Sequence, residues 1–121
     1  MNYLKNDFLI PVILGDSEDA YDAASVVYKI TKIRPHIFSH RFSLLHKLLY
    51  ECHKIPCKND LAIVGDICNF ASKMEREGSL LLIYSEDKSE LIEKYSQEIE
   101  SRYIAIPADQ ILMLRIIKQN N

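Results

Sequence analysis

"IPVILGDSEDAY", Ile10 to Tyr21, runs an apolar, β-branched stretch into a glycine and then into a cluster of acids where a helix is due. Strand, glycine, helix start is the opening unit of a parallel α/β sheet. Phe8 to Leu14 is short and continuously apolar, the pattern of a strand buried on both faces, and Pro11 predicts an edge position or a bulge near its start. Gly15 ends the strand. From Ser17 to about Lys32 the residues Ala20, Ala23, Ala24, Val27 and Ile30 recur at helical spacing. Asp16 or Ser17 is expected to cap this helix, since a short side-chain oxygen accepts free first-turn amides and the acids complement the helix dipole.

Pro35 stops that helix, and "HIFS" after it reads as a second strand. In the following "HRFSLLHKLLYECHKIPCKND" the first half is helical, with Phe42, Leu45 and Leu49 on one face, and Tyr50 to Ile55 forms a short strand. Asp60 is expected to cap a helix that turns Ile63, Ile67, Phe70, Ala71 and Met74 inward, with Gly78 as its left-handed C-cap. "SLLLIYS" is the clearest strand. A helix from about Glu86 to Ser101, opened by Ser85, carries Leu91, Ile92, Tyr95 and Ile99 at helical spacing. "RYIAIP" is the last strand, ended by Pro107, and Asp109 caps a final helix, "QILMLRIIK". The hydroxyls of Tyr95 and Tyr103 are expected at the surface.

Strands alternating with helices predict an α/β chain, a three-layer Rossmann-like domain whose mostly parallel sheet of about four or five strands is flanked by helices. In such sheets ligands lie beyond the carboxyl ends of the strands where the strand order reverses, so the turns after Leu14 and Tyr84 are the places for a site.

The bulk properties narrow the function. The 121 residues form one domain, and a formal charge of −2 with fifteen basic residues scattered among seventeen acids gives no stripe to hold a nucleic acid. The apolar run in "MNYLKNDFLIPVIL" is too short to cross a bilayer, and Asp7 and Pro11 interrupt the pattern of a signal peptide. A cytoplasmic protein without a membrane partner is expected. Cys52, Cys57 and Cys68 are odd in number, which fits reduced thiols in that compartment.

No glycine-rich dinucleotide fingerprint, P-loop or GxSxG elbow occurs. The carboxylates of Asp16, Glu18 and Asp19 would repel a phosphate at the first turn, which leaves helix capping or contact with an amine-bearing substrate or partner. His36, His40, His46, Cys52, His53, Cys57 and Cys68 invite a zinc reading, but paired CxxC units are absent and a chain with a full core needs no metal staple. No metal site is expected. Glu86, Asp87 and Glu90 are acids at a helix start, where the dipole favours them.

Two segments carry a resemblance. "FLIPVILGDSEDAYDAASVVYKITKIRPHIFS" is similar to the opening of ATP-grasp ligases of the carboxylate–amine type, including D-aspartate ligases and carbamoyl-phosphate synthase large-subunit-like proteins. "LLLIYSEDKSELIEKYSQEIESRYIAIPADQILMLRIIKQN" resembles the family's later strand–helix–strand–helix stretch just ahead of its ATP-binding domain. The resemblance implies a pre-ATP-grasp domain with no catalytic residue of its own. Gly15, Asp16, Ser17 and Tyr21 in the first turn, and Ser85, Glu86 and Asp87 in the second, stand at positions that line the acceptor-substrate side of the cleft. Several relatives have a second glycine or an uncharged residue where this chain has Asp16. ATP and magnesium are expected only in an ATP-grasp module, in cis or trans, which would begin where the sequence stops at Asn121. The alternative is a stand-alone Rossmann-like or flavodoxin-like module that binds a small ligand or a protein. Ile111, Leu112, Leu114, Ile116 and Ile117 give the last helix more apolar surface than one buried face uses, which predicts a homodimer through this C-terminal helix.

Overall fold

The computed structural model describes residues 8–56 and 59–120, with side chains as far as Leu114. Five parallel strands, β1 (Leu9–Leu14), β2 (His36–Ser39), β3 (Glu51–Lys54), β4 (Ser79–Tyr84) and β5 (Ile104–Pro107), form one sheet in the order β3-β2-β1-β4-β5. The chain builds outward from β1 to β3, then returns through a helix to the other side of β1. The order therefore reverses between β1 and β4. The expected α/β class with a parallel, helix-flanked sheet is the observed one.

Strand periodicity assigns the two sheet faces. Ile13, Ile37 and Ile83 pack with Ala20, Ala23, Ala24 and Val27 of α1 (Glu18–Thr31) and with Ile111 of α6 (Ala108–Asn120). Val12, Leu14 and Leu82 pack on the opposite side with Ile63 and Ile67 of α3 (Asp60–Met74), Leu91 of α4 (Ser89–Lys94) and Ile99 of α5 (Ser96–Glu100).

Pro11 lies in a central strand with no bulge, contrary to the edge expected of it. The Gly15 amide donates to Phe38 of β2, so by alternation the position of Pro11 also faces β2. Pairing with β2 starts only at Val12, and a missing N–H at Pro11 breaks no ladder bond.

Several helix ends differ from expectation. Asn59, not Asp60, caps α3, its side chain accepting from the Ala62 amide. Gly78 is not a left-handed cap: its φ is not positive, and it is glycine because a Cβ would overlap the Phe8 carbonyl, to which Ser79 donates at 2.7 Å. Among the described residues the left-handed C-cap is Lys32, with φ 61° at the end of α1. The single helix expected over residues 86–101 is a 3-10 turn (Glu86–Lys88) followed by α4 and α5, broken at Tyr95. α6 starts at Ala108, with Asp109 inside its first turn rather than capping it.

The Tyr103 hydroxyl is not at the surface as expected: the residue is buried and its hydroxyl donates to the Ile67 carbonyl at 2.7 Å, so the polar end of the ring is satisfied inside the protein. The middle of the chain forms α2 (Leu44–Leu49) and β3. Phe42 precedes α2, and Leu45 and Leu49 are exposed along with Leu44 and Leu48, so none of α2 is buried. In α6, Ile111 is buried against α1 while Met113 and Leu114 are exposed; the side chains of Ile116 and Ile117 lie outside the described residues.

Candidate functional site

The turns after β1, β2 and β4 meet at the carboxyl edge of the sheet, beside the reversal between β1 and β4. Gly15 makes the meeting possible. Its φ of 155° disfavours a side chain, and a Cβ would overlap the buried Ser85 at the end of β4.

Asp16 faces β2 rather than the amides of α1. Its Oδ1 accepts from the buried Ser39 hydroxyl and from the His40 amide, both at 2.7 Å, and its Oδ2 lies 2.7 Å from His40 Nδ1 and 3.3 Å from Lys88 Nζ. A carboxylate only accepts, so His40 Nδ1 carries the proton. Burial by itself would raise the Asp16 pKa, but the bonds from the His40 amide, the Ser39 hydroxyl and the His40 ring together outweigh it. The carboxyl is held well below the usual carboxylate range.

A second carboxylate ties β4 to the first turn. Asp87 accepts from Ser17 Oγ at 2.8 Å and from the Ser85 hydroxyl, and burial's upward push on its pKa is again overcome by these bonds and by Lys88. Ser17 occupies the N-cap position of α1, yet its hydroxyl makes no capping bond and instead lies between Asp19 and Asp87. Asp19 in turn accepts from the Glu86 amide at 3.1 Å. Lys88, 12 % exposed, spans both turns, with Nζ 3.3 Å from Asp16 and 3.6 Å from Asp87. The expectation that Asp16 or Ser17 caps α1 is therefore corrected: these side chains bond across the sheet edge.

All seven residues expected at the site, Gly15, Asp16, Ser17, Tyr21, Ser85, Glu86 and Asp87, come together here. Ser39, His40 and Lys88 join them without having been expected. Ser39 ends β2, His40 follows it, and Lys88 directly follows Asp87, and these positions are the signal that pointed toward them.

Beside this edge, between α1 and the β2–α2 connection, lies an open cleft of about 530 Å³. The Tyr21 hydroxyl donates to the Arg41 carbonyl at 2.8 Å and touches Ser39 Oγ at 3.0 Å. Its ring stacks on His46 of α2, centroids 4.0 Å apart and planes parallel within 1°. Phe42 and Ser43 complete that wall, with Ser43 Oγ accepting from the His46 amide. His46 Nδ1 is buried without a hydrogen-bond partner.

The remaining histidines and cysteines do not converge. His36 Nδ1 lies 3.0 Å from His53 Nε2 against Phe38 and Phe70, and burial lowers both pKa values, with the neighbouring His53 adding to the effect on His36. The Cys52 thiol donates toward the His46 carbonyl, Cys68 lies on the other face of the sheet, and Cys57 is outside the described residues. Among the described residues no group of three potential metal ligands is assembled, and no helix is long and apolar enough to cross a membrane.

Comparison of the chain with protein-family models, with curated proteins and with solved structures gives no match.

Proposed function

We propose that this chain is a non-catalytic, Rossmann-like module of the pre-ATP-grasp kind, which lines the acceptor-substrate side of a cleft and packs on an ATP-grasp module in cis or trans. One observation carries the reading. At the strand-order reversal, where dinucleotide-binding sheets of this type hold phosphate, the first turn and the start of α1 present the carboxylates of Asp16 and Asp19 and the turn after β4 presents that of Asp87, all fixed by internal hydrogen bonds. Against a phosphate charge about 4 Å away, each uncompensated carboxylate costs about 4 kcal/mol at an effective dielectric of about 20. Lys88 is the cation that Asp16 and Asp87 share, and it is already engaged by both. These residues do not fit the phosphates of ATP, and in this reading nucleotide chemistry falls to a separate module.

The test is ATP turnover by the purified chain, followed across successive chromatography steps. The reading expects no hydrolysis above buffer and no thermal shift with ATP and magnesium. Turnover that co-elutes with the protein and scales with its concentration would overturn it.

A stand-alone small-ligand module is the second reading, and the cleft beside Tyr21 favours it because its walls all come from this chain. An ATP-grasp reading frame fused to or adjoining this one would decide for the first.

A further inference from the structure

The geometry points to the cleft between α1 and the β2–α2 connection as a binding site for a small organic anion, with Arg41 as the group that takes its charge. This deepens the proposed substrate-side role and rests on it. The cleft's volume of about 530 Å³ falls within the range of small-molecule sites. Its polar groups differ in what remains for a ligand. Asp16 also lines this cleft, but both its oxygens are occupied by Ser39, His40 and Lys88, so the carboxylate offers little to an amine and the Lys88 cation offsets its charge toward an anion. The proton of the Tyr21 hydroxyl goes to the Arg41 carbonyl and that of Ser39 to Asp16.

Arg41 is the opposite case. Its carbonyl is held by Tyr21, which fixes the residue at the cleft, while among the described residues its guanidinium enters no ion pair. A guanidinium is a fork of donors that matches a carboxylate or phosphate head. The Ser43 hydroxyl, whose oxygen already accepts from the His46 amide, retains a proton to donate to the same head. The half-buried Phe42 and the Tyr21–His46 stack give the organic part of the ligand apolar, flat surface. The ligand this set recognises has one compact anionic head and a planar apolar body.

Amide chemical shifts of the labelled full chain, titrated separately with benzoate, phenyl phosphate, inorganic phosphate and benzylamine, test the assignment. Benzoate or phenyl phosphate is expected to move the amides of residues 39–46 saturably, inorganic phosphate to do so at least tenfold more weakly, and benzylamine not at all. The tighter of the two aromatic anions distinguishes a carboxylate head from a phosphate one. Arg41→Gln, at an exposed position, is expected to keep the rest of the spectrum and weaken aromatic-anion binding at least tenfold, with Arg41→Lys intermediate. Absence of saturable shifts with both aromatic anions, equal binding of benzylamine, or undiminished binding by Arg41→Gln would overturn it. No nucleotide enters this titration, so its failure is separate from a failure of the ATP-turnover test.

Discussion

Asp16 is the residue whose removal tests the account of the acidic turn most directly. If its carboxylate is a clamp between strand ends, Asp16→Ala deletes the acceptor of the Ser39 hydroxyl, the His40 amide and the His40 ring, and half of the Lys88 bridge. The Ser39 hydroxyl is buried and loses its acceptor, whereas the exposed donors regain water. At about 1 kcal/mol net for each of the first three bonds, and little for the solvent-screened bridge, the expected loss is about 2–4 kcal/mol. Asp16→Asn keeps an oxygen for Ser39 and the His40 amide but turns an NH₂ toward His40 Nδ1 and Lys88, and should lose about 1–2 kcal/mol. Urea unfolding at neutral pH measures both, through shifted midpoints at constant slope. An Asp16→Ala protein within about 0.5 kcal/mol of the parent, or an Asn variant less stable than the Ala one, would refute the clamp and return Asp16 to the role of a free contact group.

Three further outcomes are expected. Gly15→Ala places a Cβ into Ser85 at a φ of 155° and should cost more than about 3 kcal/mol, read as loss of a cooperative thermal transition or a strongly lowered Tm. His46→Phe keeps the stack on Tyr21 and removes the buried unpartnered Nδ1, so calorimetry should find stability unchanged or raised by about 1 kcal/mol, while His46→Ala lowers it. His36 and His53 have folded pKa values below their ordinary 6.5, so the unfolded chain takes up protons that the folded pair refuses. Stability should therefore fall as pH drops below about 6.5 and level off beneath the folded values, a slope that urea midpoints from about pH 8 to 5 would show and that His53→Phe should flatten. Asp16 and Asp87 have depressed values, and their contribution is complete above 3.8 and lost only as pH falls further, which keeps the two effects apart.

The sequence by itself determined the alternation of strands and helices and most of the residues that α1, α3 and the 86–101 stretch bury, though not the exposure of α2, because apolar periodicity is a local property. The continuous apolar run of β1 and the alanine spacing of α1 are such local patterns, while the structure decided that Ile13 faces α1 and that Val12 and Leu14 face α3. The sequence also pointed to the turns after β1 and β4, which the structure brings together at the carboxyl edge of the sheet. At the start of α3, where the cap was misread, the neighbouring residue of the same type met the local requirement instead, Asn59 for Asp60. Only the tertiary structure decided what the turn's side chains do. Asp16, Ser17 and Asp19 have the composition of a helix cap, and that reading is correct for an isolated helix. Strand order brings Ser39, His40 and Lys88 within hydrogen-bond reach, and donors from other strands outcompete the first-turn amides. The cleft was equally invisible, because it joins Tyr21 to a connection some twenty residues later that carries no periodicity. Pro11 shows the same limit from the other side: a residue that reads as an edge is tolerated at the centre of a sheet because its neighbour starts one residue further along.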